Sequence, residues 1–326
     1  MTFEEAMQEL NDLIGLNSVK EQLNEFASYL QFLKVRKEKG FEENTKFNLH
    51  SIFMGNPGTG KTTVAKMLGK IYNSLGLISS DKVHEVGRVD LVGEFIGQTA
   101  PKVKKAIEKA RGGILFVDEA YALTNRGSDS KDFGKEVIEV LLKELSDGPG
   151  DLAIIFAGYP KEMQQFLNSN PGMSSRIRNV ILFPDYAPNE LMEISEYKSN
   201  QSSIVITTEG KEFLHKKIVE IYRNRDTHFG NARFMNGIID EAKQNMALRL
   251  MKNHKSLKRL GKEKLSTIHK EDIQKAFKTD DGQSVLLPVD EALYHDALQQ
   301  LNELVGLDNI KREVAETAKL VRYYRE

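Results

Sequence analysis

Gly55 to Thr62 read GNPGTGKT, a stretch of the form GxxxxGK[ST], and this stretch decides the fold. Glycines at 55, 58 and 60 permit backbone angles that a side chain forbids. Successive N–H groups can therefore turn inward around phosphates, while the helix that follows offers its positive end. In that arrangement Lys61 reaches the β and γ phosphates of a nucleotide and the Thr62 hydroxyl ligates Mg²⁺. Asn56, Pro57, Gly58, Thr59, Gly60 and Thr63 complete the phosphate-binding set. The flanks agree: NLHSIFM before the loop is a short apolar run with β-branched and aromatic residues, and TTVAKMLGKIY carries Val64, Met67, Leu68 and Ile71 at helical spacing. Strand, loop and helix are the context the motif requires.

Further on, four apolar positions run into two carboxylates as ILFVDE, Ile114 to Glu119. A buried strand ending there holds Asp118 beside the magnesium and leaves Glu119 to polarise an attacking water. With the loop, this implies hydrolysis of a nucleoside triphosphate. Other candidate strands are KVHEV (Lys82 to Val86), LAIIFAG (Leu152 to Gly158) and VILF (Val180 to Phe183), separated by helical patterns. Five such strands predict a parallel α/β sheet in a three-layer sandwich. After Pro184 the pattern turns helical to Phe277, with Pro188 and Glu190 suited to a first turn. TDDGQSVLLPVD, from Thr279 to Asp290, reads as a linker. The expected division is 1–186 (nucleotide-binding subdomain with an N-terminal helical segment), 187–278 (helical lid) and 279–326.

That last segment has a precedent in the chain. LNDLIGLNSVKEQL from Leu10 returns as LNELVGLDNIKREV from Leu301, with Gly15 and Gly306, and Lys20 and Lys311, in register. A second phosphate loop at the same spacing falls beyond Glu326, so the chain reads as one complete repeat plus the opening helix of another.

Composition narrows the classes. The 326 residues are 40% hydrophobic and 29% charged, with a net charge of −1. This is a globular balance with no global field toward nucleic acid or anionic membrane. Cysteine is absent, which removes disulfides, thiolate metal sites and cysteine catalysis and fits a reducing compartment. No long apolar stretch and no signal-like start occur, so the expected location is cytoplasmic. The histidines show no paired metal spacing, and His50, His84, His215 and His228 read as packing or surface residues.

Taken together, LIGL near Leu13, GNPGTGKT, VGEFIGQTAPKV, ILFVDEAYAL, FAGYP, NPGMSSRI and GNARF resemble the AAA+ ATPases over about residues 8 to 278. GQTAPK with NPGMSSRI is similar to the CbxX/CfqX branch, whose members serve Rubisco activation, sporulation and type VII secretion. The resemblance implies an ATP- and Mg²⁺-dependent homo-hexamer that remodels a protein substrate. It gives Arg176 the part of an arginine finger acting in the neighbouring subunit, with Arg178 as rival, and Arg233 that of the lid's sensor. Leu13, Ile14, Gly15 and Leu16 match the segment that flanks adenine. Phe95, Ile96 and Gly97 resemble the pore loop that grips an extended polypeptide. Where many relatives carry a polar first sensor, this chain has FAGYP, leaving Tyr159 or a backbone group to position water.

Two other readings stand beside this one. A nucleotide-gated scaffold with little turnover is compatible with the altered sensor. A nucleic-acid motor is suggested only by the basic stretch RLMKNHKSLKRLGKEK, Arg249 to Lys264, which otherwise reads as a solvated helix end and loop.

Overall fold

Unbroken apolar runs make buried strands, and three of them form the centre of this molecule. The computed structural model describes residues 1–41, 48–124, 133–177, 179–226, 228–253 and 259–280, with Leu301, Lys311 and Val314 alone beyond them. Helices α1 (Phe3–Asn11) and α2 (Asn17–Glu38) lead into β1 (Ser51–Gly55), α3 (Lys61–Ser74), β2 (Val83–Val86), α4 (Arg88–Leu91) and α5 (Thr99–Ala110). Then come β3 (Ile114–Val117), a 3-10 turn (Ala120–Leu123), α6 (Phe133–Asp147), β4 (Ala153–Gly158), α7 (Pro160–Ser169), α8 (Pro171–Arg176) and β5 (Asn179–Phe183).

The sheet order is β2-β3-β4-β1-β5, all parallel. Every residue of β1, β3 and β4 is buried, because helices cover both faces. The edge strand β5 alternates instead: Ile181 and Phe183 face the core, while Val180 and Leu182 are exposed. Phe183 packs on Phe53 with ring centroids 4.9 Å apart, a pairing worth about 0.5–1.5 kcal/mol beyond its burial. It fixes the end of β5 beside Gly55, its register partner. His50, just before β1, accepts a hydrogen bond on Nδ1 from the Ile154 N–H at 3.0 Å. Burial pushes its pKa down to about 4, so it is a neutral packing histidine, as expected.

Past the sheet lie α9 (Pro188–Gln201), β6 (Val205–Ile206), α10 (Thr208–Arg223), α11 (Asn231–Asn253), α12 (Lys262–Ser266), β7 (Thr267–Ile268) and α13 (Lys270–Asp280). Pro188 opens α9, and Glu190 Oε2 accepts the Ala187 N–H at 2.7 Å. The helical reading missed the two-residue parallel pair β6–β7, which is too short to carry a period. Arg249, from the basic stretch, is paired with the fully buried Asp272 (Nη2 to Oδ2, 2.8 Å); residues 254–258 of that stretch lie outside the described residues.

The repeated segment also differs from expectation. In its first copy it is not one helix: α1 ends at Asn11, Gly15 and Leu16 take left-handed backbone (φ 61° and 58°), and α2 begins at Asn17. Most of the second copy lies outside the described residues. The chain divides into two compact units, Met1–Ile273 and Gln274–Glu326, and the first holds the sheet and nearly all the lid. Among the described residues, no helix is long and apolar enough to cross a membrane.

Candidate nucleotide site

The C-terminal ends of parallel strands are where such sheets bind ligands, and here β1, β3 and β4 open into one cavity of about 820 Å³. The loop after β1 forms its floor. Gly58 and Gly60 take left-handed backbone (φ 70° and 91°). Gly55 does not, which corrects the sequence reading; it is glycine for lack of space, since a Cβ there would lie 2.6 Å from the Phe183 carbonyl oxygen. Lys61, Thr62 and Thr63 form the first turn of the 14-residue α3 and line the cavity, so the helix's positive end faces in. Lys61 Nζ donates to the carbonyls of Gly55 and Asn56, each at 2.8 Å. Burial lowers its pKa to about 8; Asp118 and Glu119 act in the other direction, and Arg233 adds to the lowering.

Opposite the loop, β3 delivers Asp118 and Glu119 to the cavity wall. Asp118 Oδ1 accepts the Glu119 N–H at 3.0 Å. Glu119 itself is left-handed (φ 48°, ψ 44°), a conformation that costs a non-glycine residue about 1–2 kcal/mol. Between β1 and β3 in the sheet, β4 brings Tyr159 to the same cavity. Its ring lies 6.0 Å from that of Tyr121 and meets His228 of the lid edge-on at 5.6 Å. Burial, aided by the Glu119 carboxylate, raises the Tyr121 pKa, keeping its hydroxyl protonated.

The lid closes the cavity with Ala232, Arg233 and Asn236 of α11, and a polar cluster holds it there. Asn231 is fully buried and left-handed (φ 47°). Its Nδ2 donates to Asp185 Oδ1 at 2.8 Å, to the Phe229 carbonyl at 2.9 Å and to the Pro57 carbonyl at 3.4 Å, while its Oδ1 accepts the Tyr186 N–H at 2.9 Å. Asp185 also accepts from Asn56 Nδ2 at 2.8 Å and from Arg225 Nε at 3.0 Å. The Ala232 N–H donates to the Gly58 carbonyl at 3.2 Å. Sequence reasoning missed Asn231 and Asp185. The available signals were an asparagine at the start of a helix and an aspartate just past a strand end.

Of the residues expected to meet nucleotide, Leu13, Ile14, Pro57, Gly58, Gly60, Lys61, Thr62, Thr63, Asp118, Glu119 and Arg233 are brought together around the cavity, with Leu16 and the unforeseen Tyr186 and Tyr197. Gly15 is not on its wall; a Cβ there would sit 2.5 Å from Glu190 Oε1. Asn56 and Thr59 are not on the wall either: Asn56 reaches Asp185, and the buried Thr59 donates to the Asn56 carbonyl at 2.8 Å. Phe95 and Ile96 stand apart from the cavity, 67% and 71% exposed, beside a left-handed Gly97 with open space around it. Phe95 is thus not packed beneath its loop. Arg176 is not on the cavity wall either and is exposed at the end of α8, where Nη1 donates to the Gly172 carbonyl at 3.0 Å and Nε to Ser146. Arg178 lies outside the described residues.

Known proteins fit this geometry. Residues 51–185 match the family described as "ATPase family associated with various cellular activities (AAA)", and residues 187–283 match the AAA lid domain. The chain is 41% identical over 276 residues to "Protein CfxQ homolog" of Galdieria sulphuraria, covering 84% of this chain and 88% of that one. It is 40% identical over 274 residues to the chloroplastic ribulose bisphosphate carboxylase/oxygenase activase of Cyanidioschyzon merolae (84% and 92%). With stage V sporulation protein K of Bacillus subtilis it shares 38% over 255 residues (78% of each). Among solved structures, a RuvB variant from Thermotoga maritima superposes with a TM-score of 0.54 at 20% identity (83% of this chain, 72% of that one). The FIGL-1 AAA domain gives 0.55 at 16% (82% of each). These two share the fold.

Proposed function

We propose, from the premise that the chain belongs to the CbxX/CfqX branch of the AAA family of ATPases, that it assembles into a homo-hexamer that remodels a protein substrate. The observation that carries this reading is the pairing of a self-contained nucleotide cavity with two exposed motifs, Arg176 and Phe95–Gly97, that touch nothing in it. An arginine finger and a grip for polypeptide have to face outward in a single subunit, because their targets lie elsewhere.

Within the cavity the residues fit a magnesium nucleotide. The loop's left-handed glycines, the start of α3 and Lys61 are a cradle for phosphates. The Thr62 hydroxyl and Asp118 carboxylate are hard oxygen donors that would hold Mg²⁺. When bound, the metal supplies charge neutralisation at the phosphates. Glu119 accepts a proton from the attacking water, and its left-handed backbone sets the carboxylate at the cavity wall. Leu13, Ile14 and Leu16 supply an apolar wall for the base, and Arg233 addresses the γ phosphate from the lid. Hydrolysis then moves lid and pore loop together. Phe95 gives a sequence-tolerant grip on backbone. The cysteine-free composition fits work in a reducing cytoplasm.

The test is ATP turnover per subunit across a wide range of protein concentration, with Arg176→Ala alongside. A trans-acting finger predicts a steep rise with concentration in the parent and a loss of about 10³-fold in the variant. Flat, low turnover in both proteins sinks the ring reading and favours the nucleotide-gated scaffold, whose supporting observation is an aromatic Tyr159 in the place of a polar sensor.

A further inference from the structure

We infer that Asn231 and Asp185 are positioning residues of the ATPase site, which pin the start of the lid helix to the outer side of the phosphate loop and so hold Arg233 in register with it. The phosphate loop has two sides. Its residues Pro57 and Gly58 line the cavity, and on the side of the lid their carbonyls are taken by the Asn231 side chain and the Ala232 N–H. Asp185 ties in the neighbouring loop residue, because one carboxylate oxygen accepts from both Asn56 and Asn231. Its other oxygen accepts from Arg225, whose guanidinium stacks on Tyr222 at 3.8 Å. Loop, hinge and lid thus meet on a single carboxylate.

The contact is also sterically close. A Cβ on Gly58 would lie 2.2 Å from the Gly230 carbonyl oxygen, 2.7 Å from the Arg233 nitrogen and 3.1 Å from the Arg233 Cβ. Arg233 follows Asn231 by two residues in the first turn of α11, so the left-handed backbone of Asn231 sets where Arg233 starts. A shift of the loop displaces the lid arginine, and a shift of the lid displaces the loop. This inference rests on the reading of Arg233 as the lid's sensor.

Asn231→Gly tests it in the full chain, because glycine keeps the left-handed backbone and removes only the side chain. Turnover is measured at a fixed protein concentration, and equilibrium binding with ADP and with a slowly hydrolysed ATP analogue. The expected result is a loss of about tenfold in kcat/KM, with affinity for the ATP analogue falling more than affinity for ADP. In an Arg233→Ala background the same change adds less than about twofold, because both act through one group. Asn56→Ala, which removes only one leg of the cluster, gives a smaller loss in the same direction and keeps the test open if Asn231→Gly folds poorly. Losses that multiply in full, or equal losses of ATP-analogue and ADP affinity in both variants, overturn the inference while leaving the sensor reading intact. An Arg233→Ala protein that binds and turns over like the parent sinks the sensor reading and the positioning role with it.

Discussion

The lid–loop seam and the Phe95–Gly97 loop are built in opposite ways. At the seam, Asn231 is fully buried with every side-chain polar atom paired, and backbone meets backbone so closely that Gly58 has no room for a methyl group. At residues 95–97, two large apolar side chains stand mostly in solvent beside a glycine with open space around it. Exposing such side chains wins no folding energy, and burying an asparagine succeeds only when its hydrogen bonds are made. The contrast teaches that this chain concentrates its close packing and paired polar groups around the nucleotide cavity, while the Phe95–Gly97 loop is left without intrachain cover.

Glu119→Gln probes the first half with the largest expected effect. If Glu119 is the base, as proposed, Gln keeps its shape and removes it, so turnover falls by about 10²–10⁴-fold while affinity for an ATP analogue stays near that of the parent. Hydrolysis at the parental rate would show that the ordered cavity takes its base from another residue.

Gly58→Ala strikes the seam itself. The new methyl meets backbone atoms of Gly230 and Arg233, and the φ of 70° adds strain, together costing roughly 3 kcal/mol or a displaced lid. Turnover is expected to drop about a hundredfold, with a lowered unfolding midpoint or a weakened ATP preference showing which way the strain is relieved. Parental behaviour in both would mean that loop and lid are not tightly joined.

Acid probes a third place, the central sheet on which the seam is built. His50, half-buried just before β1, accepts from the Ile154 N–H of β4, and its folded pKa of about 4 lies below the ordinary 6.5. Between those values the unfolded chain binds a proton that the folded chain refuses, so stability falls as pH drops through 6.5 and levels off near 4. The contribution is about 2 kcal/mol between pH 8 and pH 5. Urea unfolding of the parent against His50→Asn measures it, and identical pH slopes would count against a histidine held neutral there.

What sequence could reveal follows from the range of each interaction. Glycine spacing in GNPGTGKT, the run into Asp118 and the all-buried strands are local patterns, and they foretold the sheet and most of the cavity. Boundaries slipped where periodicity is silent, as at β1, which begins at Ser51 rather than Asn48, and at the two-residue β6 and β7. The Asp185–Asn231 cluster escaped because its partners are far apart in the chain: 46 residues between Asn231 and Asp185, 129 between Asn56 and Asp185 and 174 between Asn231 and Pro57. No local pattern marks such a convergence. Motif resemblance pointed to Arg233, and its neighbour two positions back passed unnoticed.

The smallest intrinsic effect is expected at Phe95, and its smallness is the point. A side chain 67% exposed contributes little to folding, so Phe95→Ala should move stability by less than about 0.5 kcal/mol and leave turnover in the absence of protein substrate within about twofold. If the loop grips polypeptide, the same change removes substrate-stimulated turnover, because the ring is the part that wedges against a chain. A marked loss of stability would instead mean that Phe95 is covered in the assembled protein, and the contrast between a closed seam and an open loop would then belong to the isolated subunit alone.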